Sequence, residues 1–156
     1  MYIVECDPDV ALVSSLTSLS KKRITHAAGK HQVLRKLLRQ TNSMAMIDED
    51  PLSVQPVAFL QHFQVVNHSD RDGIRILHNN SGHNRLIVLC PRLEEWILDS
   101  SKRANIDLKD YNLPTNANEL HEEINFKINR FEQLIEDLKQ QSNRVKVLKA
   151  RLTERY

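Results

Sequence analysis

Cysteine is scarce in this 156-residue chain, with Cys6 and Cys90 the only two. Two thiols beside the ends of predicted strands do not make a disulfide framework, nor can they build a thiolate zinc cage unaided. The expectation is a protein of the reducing cytoplasm. Glycine (3) and proline (5) are also few, which excludes fibrous and low-complexity chains. No apolar run is long enough to span a bilayer, and the strand-like Tyr2-Ile3-Val4 follows no basic stretch, so neither a membrane nor export is expected. A Gly-rich Walker loop is missing, which rules out a P-loop ATPase within this sequence. Neither sign of charge dominates: 22 Lys and Arg face 20 Asp and Glu, a formal +2, so bulk electrostatics neither demand nor exclude nucleic acid. Aromatics make up only 5%, so a nucleic acid would be gripped by charge rather than by stacking.

What is present points to one globular α/β domain, with 40% hydrophobic and 27% charged residues. Tyr2-Ile3-Val4 predicts a strand. Asp7-Pro8-Asp9 then supplies a capping residue and a first-turn proline for a helix carrying Leu12, Leu16 and Leu19. A second strand is expected over 23–26, a turn at Gly29, and a helix over 30–40 with Val33, Leu34, Leu37 and Leu38 on one face. A third strand over 43–47 ends in Asp48-Glu49-Asp50-Pro51, where proline forbids further ladder pairing. Such alternation, too widely spaced for hairpins, predicts βαβ units and a mainly parallel sheet. Further on, the pattern predicts a short helix over 55–63, a polar loop over 67–73, strands over 74–77 and 86–89, and a helix over 91–101. The first 105 residues form the predicted α/β unit, and 106–156 a linker with a long C-terminal helix. Ile124, Ile128, Phe131, Ile135, Leu138, Val145 and Leu152 form a narrow seam along that helix. The seam leaves open whether it packs on the domain itself or in a helical hairpin or homo-oligomer.

In open α/β sheets, ligands bind beyond the carboxyl ends of the strands. Glu5, Asp48 and Asp50 all fall there, and Asp9 lies one helical turn on. Singly, each acid has a plainer role, as a helix cap or a solvated turn. Together, converging carboxylates repel one another unless a cation or proton offsets them, and hard oxygen donors suit Mg²⁺ or Mn²⁺. Such an ion favours phosphoryl chemistry, with Lys30, Arg71 or Arg85 as candidate phosphate clamps.

The run Ile3-Val4-Glu5-Cys6-Asp7-Pro8-Asp9, then Ala28-Gly29-Lys30, then Met46-Ile47-Asp48-Glu49-Asp50 resembles a TOPRIM domain. The resemblance is greatest to the nuclease branch typified by the overcoming-lysogenization-defect proteins and to small stand-alone bacterial TOPRIM-like proteins. It covers roughly the first hundred residues and implies a Rossmann-like sheet flanked by helices. It also implies catalytic, Mg²⁺-binding roles for Glu5, Asp48 and Asp50, with Asp9 sharing the metal. Pro91-Arg92-Leu93-Glu94 resembles a downstream motif and adds Glu94 as a further metal candidate. The implied function is phosphodiester cleavage by a nuclease or nuclease subunit, possible in a bacterial defence system with a separate ATPase partner. Cys6 stands where the family usually has glycine, and the family's catalytic lysine has no clear counterpart. Both departures leave open an inactive, regulatory TOPRIM-like subunit that partners an ATPase.

Other signals are read more plainly. His78-Asn79-Asn80-Ser81-Gly82-His83-Asn84 superficially suggests an HNH nuclease but reads better as a hairpin turn. Trp96 is expected as a core anchor. The basic tail of Arg144, Lys146, Lys149, Arg151 and Arg155 reads as a solvated helix face.

Overall fold

The computed structural model describes residues 1–154, so Arg155 lies outside the described residues. Its strands are β1 (Tyr2–Val4), β2 (Ile24–His26), β3 (Met44–Asp48), β4 (Gln64–Ser69), β5 (Ile74–Asn79) and β6 (Asn84–Leu89). Helix α1 (Asp7–Thr17) follows β1, α2 (Lys30–Leu37) follows β2, and α3 (Val57–Leu60) is a single turn before β4. After β6 come α4 (Leu93–Arg103), α5 (Ala117–Glu123), α6 (Ile128–Gln141) and α7 (Asn143–Thr153).

The six strands form one sheet in the order β2-β1-β3-β6-β5-β4. The first four are mutually parallel, while β5 runs antiparallel to both β6 and β4. This is a mostly parallel α/β sheet with helices on both faces and a helical C-terminal region. Alternation along the strands divides the core. Met44, Met46, Ile87 and Leu89 join one apolar cluster, while Ala45, Ile47, Leu86 and Val88 join the other. Because both faces are covered, β3 and β6 read as unbroken hydrophobic runs rather than alternating ones.

The chain leaves β1 for β2 on one side and returns to β3 on the other, so the connections diverge between β1 and β3. That divergence is the topological switch point of an open α/β sheet.

Several expectations are corrected. The polar loop over 67–73 is instead the end of β4 and the tight turn into β5, which pairs with it from Ser69↔Ile74 onward. Its polarity misled because β4 is an edge strand with five of six residues exposed, so it has no apolar face to announce it. Cys6, not Asp7, occupies the N-cap position of α1, and α2 ends at Leu37 rather than at residue 40. The C-terminal helix is not continuous. A 3-10 turn at Ile124–Phe126 and the extended backbone of Ser142 divide it into α5, α6 and α7. The Ser142 hydroxyl accepts from the N–H of Val145, so the residue starts α7 instead of continuing α6.

Phe131, Ile135, Leu138, Val145 and Leu152 are buried in the same cluster as α1, which packs against both α6 and α7. The seam therefore packs on the domain itself. Helix α1 lies between the sheet and these helices, which is why it buries seven of its eleven residues rather than one stripe. Trp96 is fully buried, as expected of a core anchor. Arg144 departs from the solvated-face expectation: it is buried, with its guanidinium 5.3 Å over the Trp96 ring. The segment at residues 80–83 is the β5–β6 hairpin turn.

A carboxylate pocket at the switch point

At the carboxyl ends of β1 and β3, a pocket of about 310 Å³ is lined by Glu5, Asp9, Lys30, Asp48, Asp50 and Glu94. Each side chain is delivered by a different piece of local structure. Glu5 leaves the end of β1, Asp9 sits in the first turn of α1, and Asp48 ends β3. Asp50 adopts a left-handed backbone (φ 40°), a conformation aspartate tolerates better than most residues. Glu94 lies in the first turn of α4, and Lys30 opens α2 behind Gly29. Gly29 itself has φ 83°, which suits a residue without a Cβ. Between Asp48 and Asp50 the chain turns Glu49 away, to pair with Arg75 at 2.7 Å. Three helices thus begin at the pocket, and helix N-termini favour anions.

The acids range from half-buried to fully buried. The N–H of Asp48 donates to Glu5 Oε1 (3.2 Å), the thiol of Cys6 donates to Asp9 Oδ2 (3.1 Å), and Lys30 Nζ donates to the Glu49 carbonyl (2.8 Å). Asp9 and Glu94 are both buried. Asp48 Oδ1 is buried with no hydrogen-bond partner among the described residues. A buried carboxylate oxygen left bare is costly and calls for a proton or a cation. Burial, then repulsion from Asp9, pushes Asp48 up to about 8, opposed by the Leu93 backbone N–H and reinforced by Glu5 and Glu94. Burial likewise pushes Asp9 up to about 7, against the Cys6 hydrogen bond and with repulsion from Glu5. Burial raises Glu5 as well, opposed by the Asp48 N–H and the Lys30 charge. In the absence of an added cation, the cluster retains protons near neutrality.

Arg71 and Arg85 are not in this pocket. Arg85 stands at the amino end of β6, opposite Met44, with the full height of the sheet between it and Asp48. There it donates to the carbonyls of Arg151 and Glu154 and to the Glu154 carboxylate. Arg71 lies in the β4–β5 turn, on the carboxyl-end side of the sheet but lining a different cavity. Two residues that the sequence did not single out do line the pocket. Arg92 is held by a two-pronged contact to Glu95, and His121 of α5 places Nδ1 2.9 Å from Glu94 Oε1. Arg92 was visible only as part of the Pro91–Glu94 motif. His121 had no local signal, because α5 reaches the pocket through tertiary packing on α4.

Comparison with protein-family models, with characterised proteins and with solved structures finds no match for the chain. The carboxylate oxygens, one of them bare, are the donor type of a hard divalent cation, and they stand beside the Cys6 thiol and the His121 imidazole. Among the described residues, however, no group of three or more His, Cys, Asp or Glu is disposed to hold a metal ion. The arrangement is thus not a closed protein cage, and any ion it took would have to keep most of its own water.

Proposed function

We propose that the chain is a TOPRIM-type, divalent-metal-dependent nuclease or nuclease subunit that cleaves phosphodiesters at this pocket. The observation that carries the proposal is the bare, buried Asp48 Oδ1 among mutually repelling acids at the switch point, ringed by three helix N-termini. Asp48 and Glu5, adjacent through the Asp48 N–H, would hold the ion, with Asp50 and Asp9 completing its hydrated surroundings and Glu94 at the far wall. When bound, Mg²⁺ or Mn²⁺ supplies positive charge to the phosphate and lowers the pKa of its bound water. Lys30 and the starts of α1, α2 and α4 would offset the remaining phosphate charge. His121, tied to Glu94, is placed to pass a proton at its ring nitrogen.

A second function fits one observation. Cys6 places a side chain in the turn into α1, where close backbone approach to a phosphate would need glycine, and this favours a regulatory subunit that partners an ATPase. One experiment separates the two. Mn²⁺ titration followed by calorimetry should give a site-dependent heat in the wild type and none in Asp48→Asn. Metal-dependent cleavage of an oligonucleotide should fall on the order of 100-fold in that variant. Cleavage by Asp48→Asn at the wild-type rate would remove the site assignment. Absence of both heat and cleavage in a folded wild type would leave the regulatory function.

A further inference from the structure

Beyond the acidic pocket, the β4–β5 turn, the last turn of α4 and the first turn of α7 enclose a cavity of about 540 Å³. Arg71, Arg103, Arg144 and Lys146 line it, together with Asp72. The carboxylates that pair with these cations are Asp72 and Asp99. Four positive charges therefore face two negative ones. Asp99 Oδ2 is divided between Arg103 (3.2 Å) and Arg144 (2.7 Å), while Asp72 takes a bond from the Ser69 hydroxyl (2.8 Å) and a longer contact from Arg71 (3.4 Å). Lys146 forms no ion pair among the described residues.

The basic groups are held together rather than left to spread. Arg103 Nη1 donates to the Arg71 carbonyl (2.7 Å), fixing one wall to the other. Arg144 is buried, stacked over Trp96, with Nε donating to the Asp72 carbonyl (3.1 Å). Gly73 makes room for it, since a Cβ there would come within 1.9 Å of Arg144 Nη2. Asp72 and Asp99 offset part of this charge, and the surplus repels unless a further anion lies among them. The first turn of α7 adds to the attraction. It carries no acidic residue, and the N–H groups of Asn143 and Arg144 precede the first helical hydrogen bonds.

We propose that this cavity binds a phosphate group, presented either as a free phosphate or phosphomonoester or as one unit of a polynucleotide backbone. Arg71 and Lys146 supply the mobile charge, Arg103 and Arg144 the fixed charge, and the α7 N–H groups the directional donors. The site stands apart from the acidic pocket and does not rest on the function proposed for it.

The test uses the full-length chain, ¹⁵N-labelled and kept in EDTA so that no metal contributes. Inorganic phosphate is titrated first, then a single-stranded oligonucleotide lacking a terminal phosphate. Saturable amide shifts at Asn143, Arg144 and Gly73 are expected with phosphate. An Arg71→Ala/Lys146→Ala double variant, altered only at exposed positions, should weaken binding about tenfold or more. Asp48→Asn should bind as the wild type does, which separates this site from the acidic one. Tighter binding of the oligonucleotide, with stronger salt dependence, identifies a backbone as the source; tighter binding of free phosphate identifies a small ligand. Absence of saturable shifts at these amides with either probe, or equal affinity in the double variant, overturns the proposal.

Discussion

The two ends of the parallel strands treat polar groups in opposite ways. At the amino end each buried polar side chain has its complement. Asn84 accepts from the N–H of Ser43 and donates to the carbonyls of Leu37 and Gln40, and Asn79 joins Gly82 to His62. Arg85 is tied to the last residues of the helical region. At the carboxyl end, Glu5, Asp9, Asp48 and Glu94 crowd together with only partial complements in Lys30, Cys6 and His121, and Asp48 Oδ1 has no partner among the described residues. The first pattern is that of a joint that holds elements together. The second is that of a crowded site that must take up protons or a cation to offset its own repulsion, which brings no structural benefit.

That contrast can be broken from either side. The largest effect is expected for Asn84→Ala, which strips partners from one buried N–H and two carbonyls and should destabilise the protein by about 3 kcal/mol in urea titration. A loss below about 1 kcal/mol would show that water replaces the side chain there.

Asp48→Asn should act in the reverse direction. The folded pKa of Asp48 is raised above its unfolded value of 3.8, so the folded state keeps the proton longer. Its contribution is fully present below about pH 4 and is lost as pH rises through about 8. In metal-free buffer at pH 9 the variant should therefore be more stable than the wild type by about 2 kcal/mol, and at pH 4 close to equal. A wild type that gains stability from pH 4 to 9 relative to the variant would contradict this sign. The smallest effect is expected for Glu154→Gln at the amino end. The carboxylate is half exposed, and Arg85 keeps its two backbone carbonyl acceptors, so thermal unfolding should register less than about 0.5 kcal/mol.

The sequence disclosed the elements whose pattern was local. Glu5 and Asp48 were legible because each directly follows or ends a short apolar strand, and strand ends in an alternating βα pattern share an edge. Lys30 was legible because Gly29 marks a helix start. What the sequence hid depended on distant neighbours. Ser142 was legible as an interruption of the apolar seam, but not as the cap that ends α6 and starts α7. Arg144 reads as one cation in a basic tail, and only Trp96 and Gly73 make it a buried one. Arg85 looked equivalent to other basic residues until the register of β6 set it at the far end of the sheet. Edge strand β4 escaped because its two apolar residues, Val65 and Val66, are adjacent rather than alternating and the rest of it is polar.

The β4–β5–β6 meander joins neighbouring strands through tight turns, whereas β3 must find β6 across the intervening hairpin, and β1 must find β3 across β2 and two helices. Loop-closure entropy makes the meander the cheaper nucleus, and the parallel pairings follow it. We predict that pulse-labelled hydrogen exchange will protect amides of 74–89 before those of 2–4; simultaneous protection would contradict that order. On that order Glu5 and Asp48, which come from the two strands that would pair late, would meet only once the meander is in place, and their mutual repulsion would oppose a late step of folding.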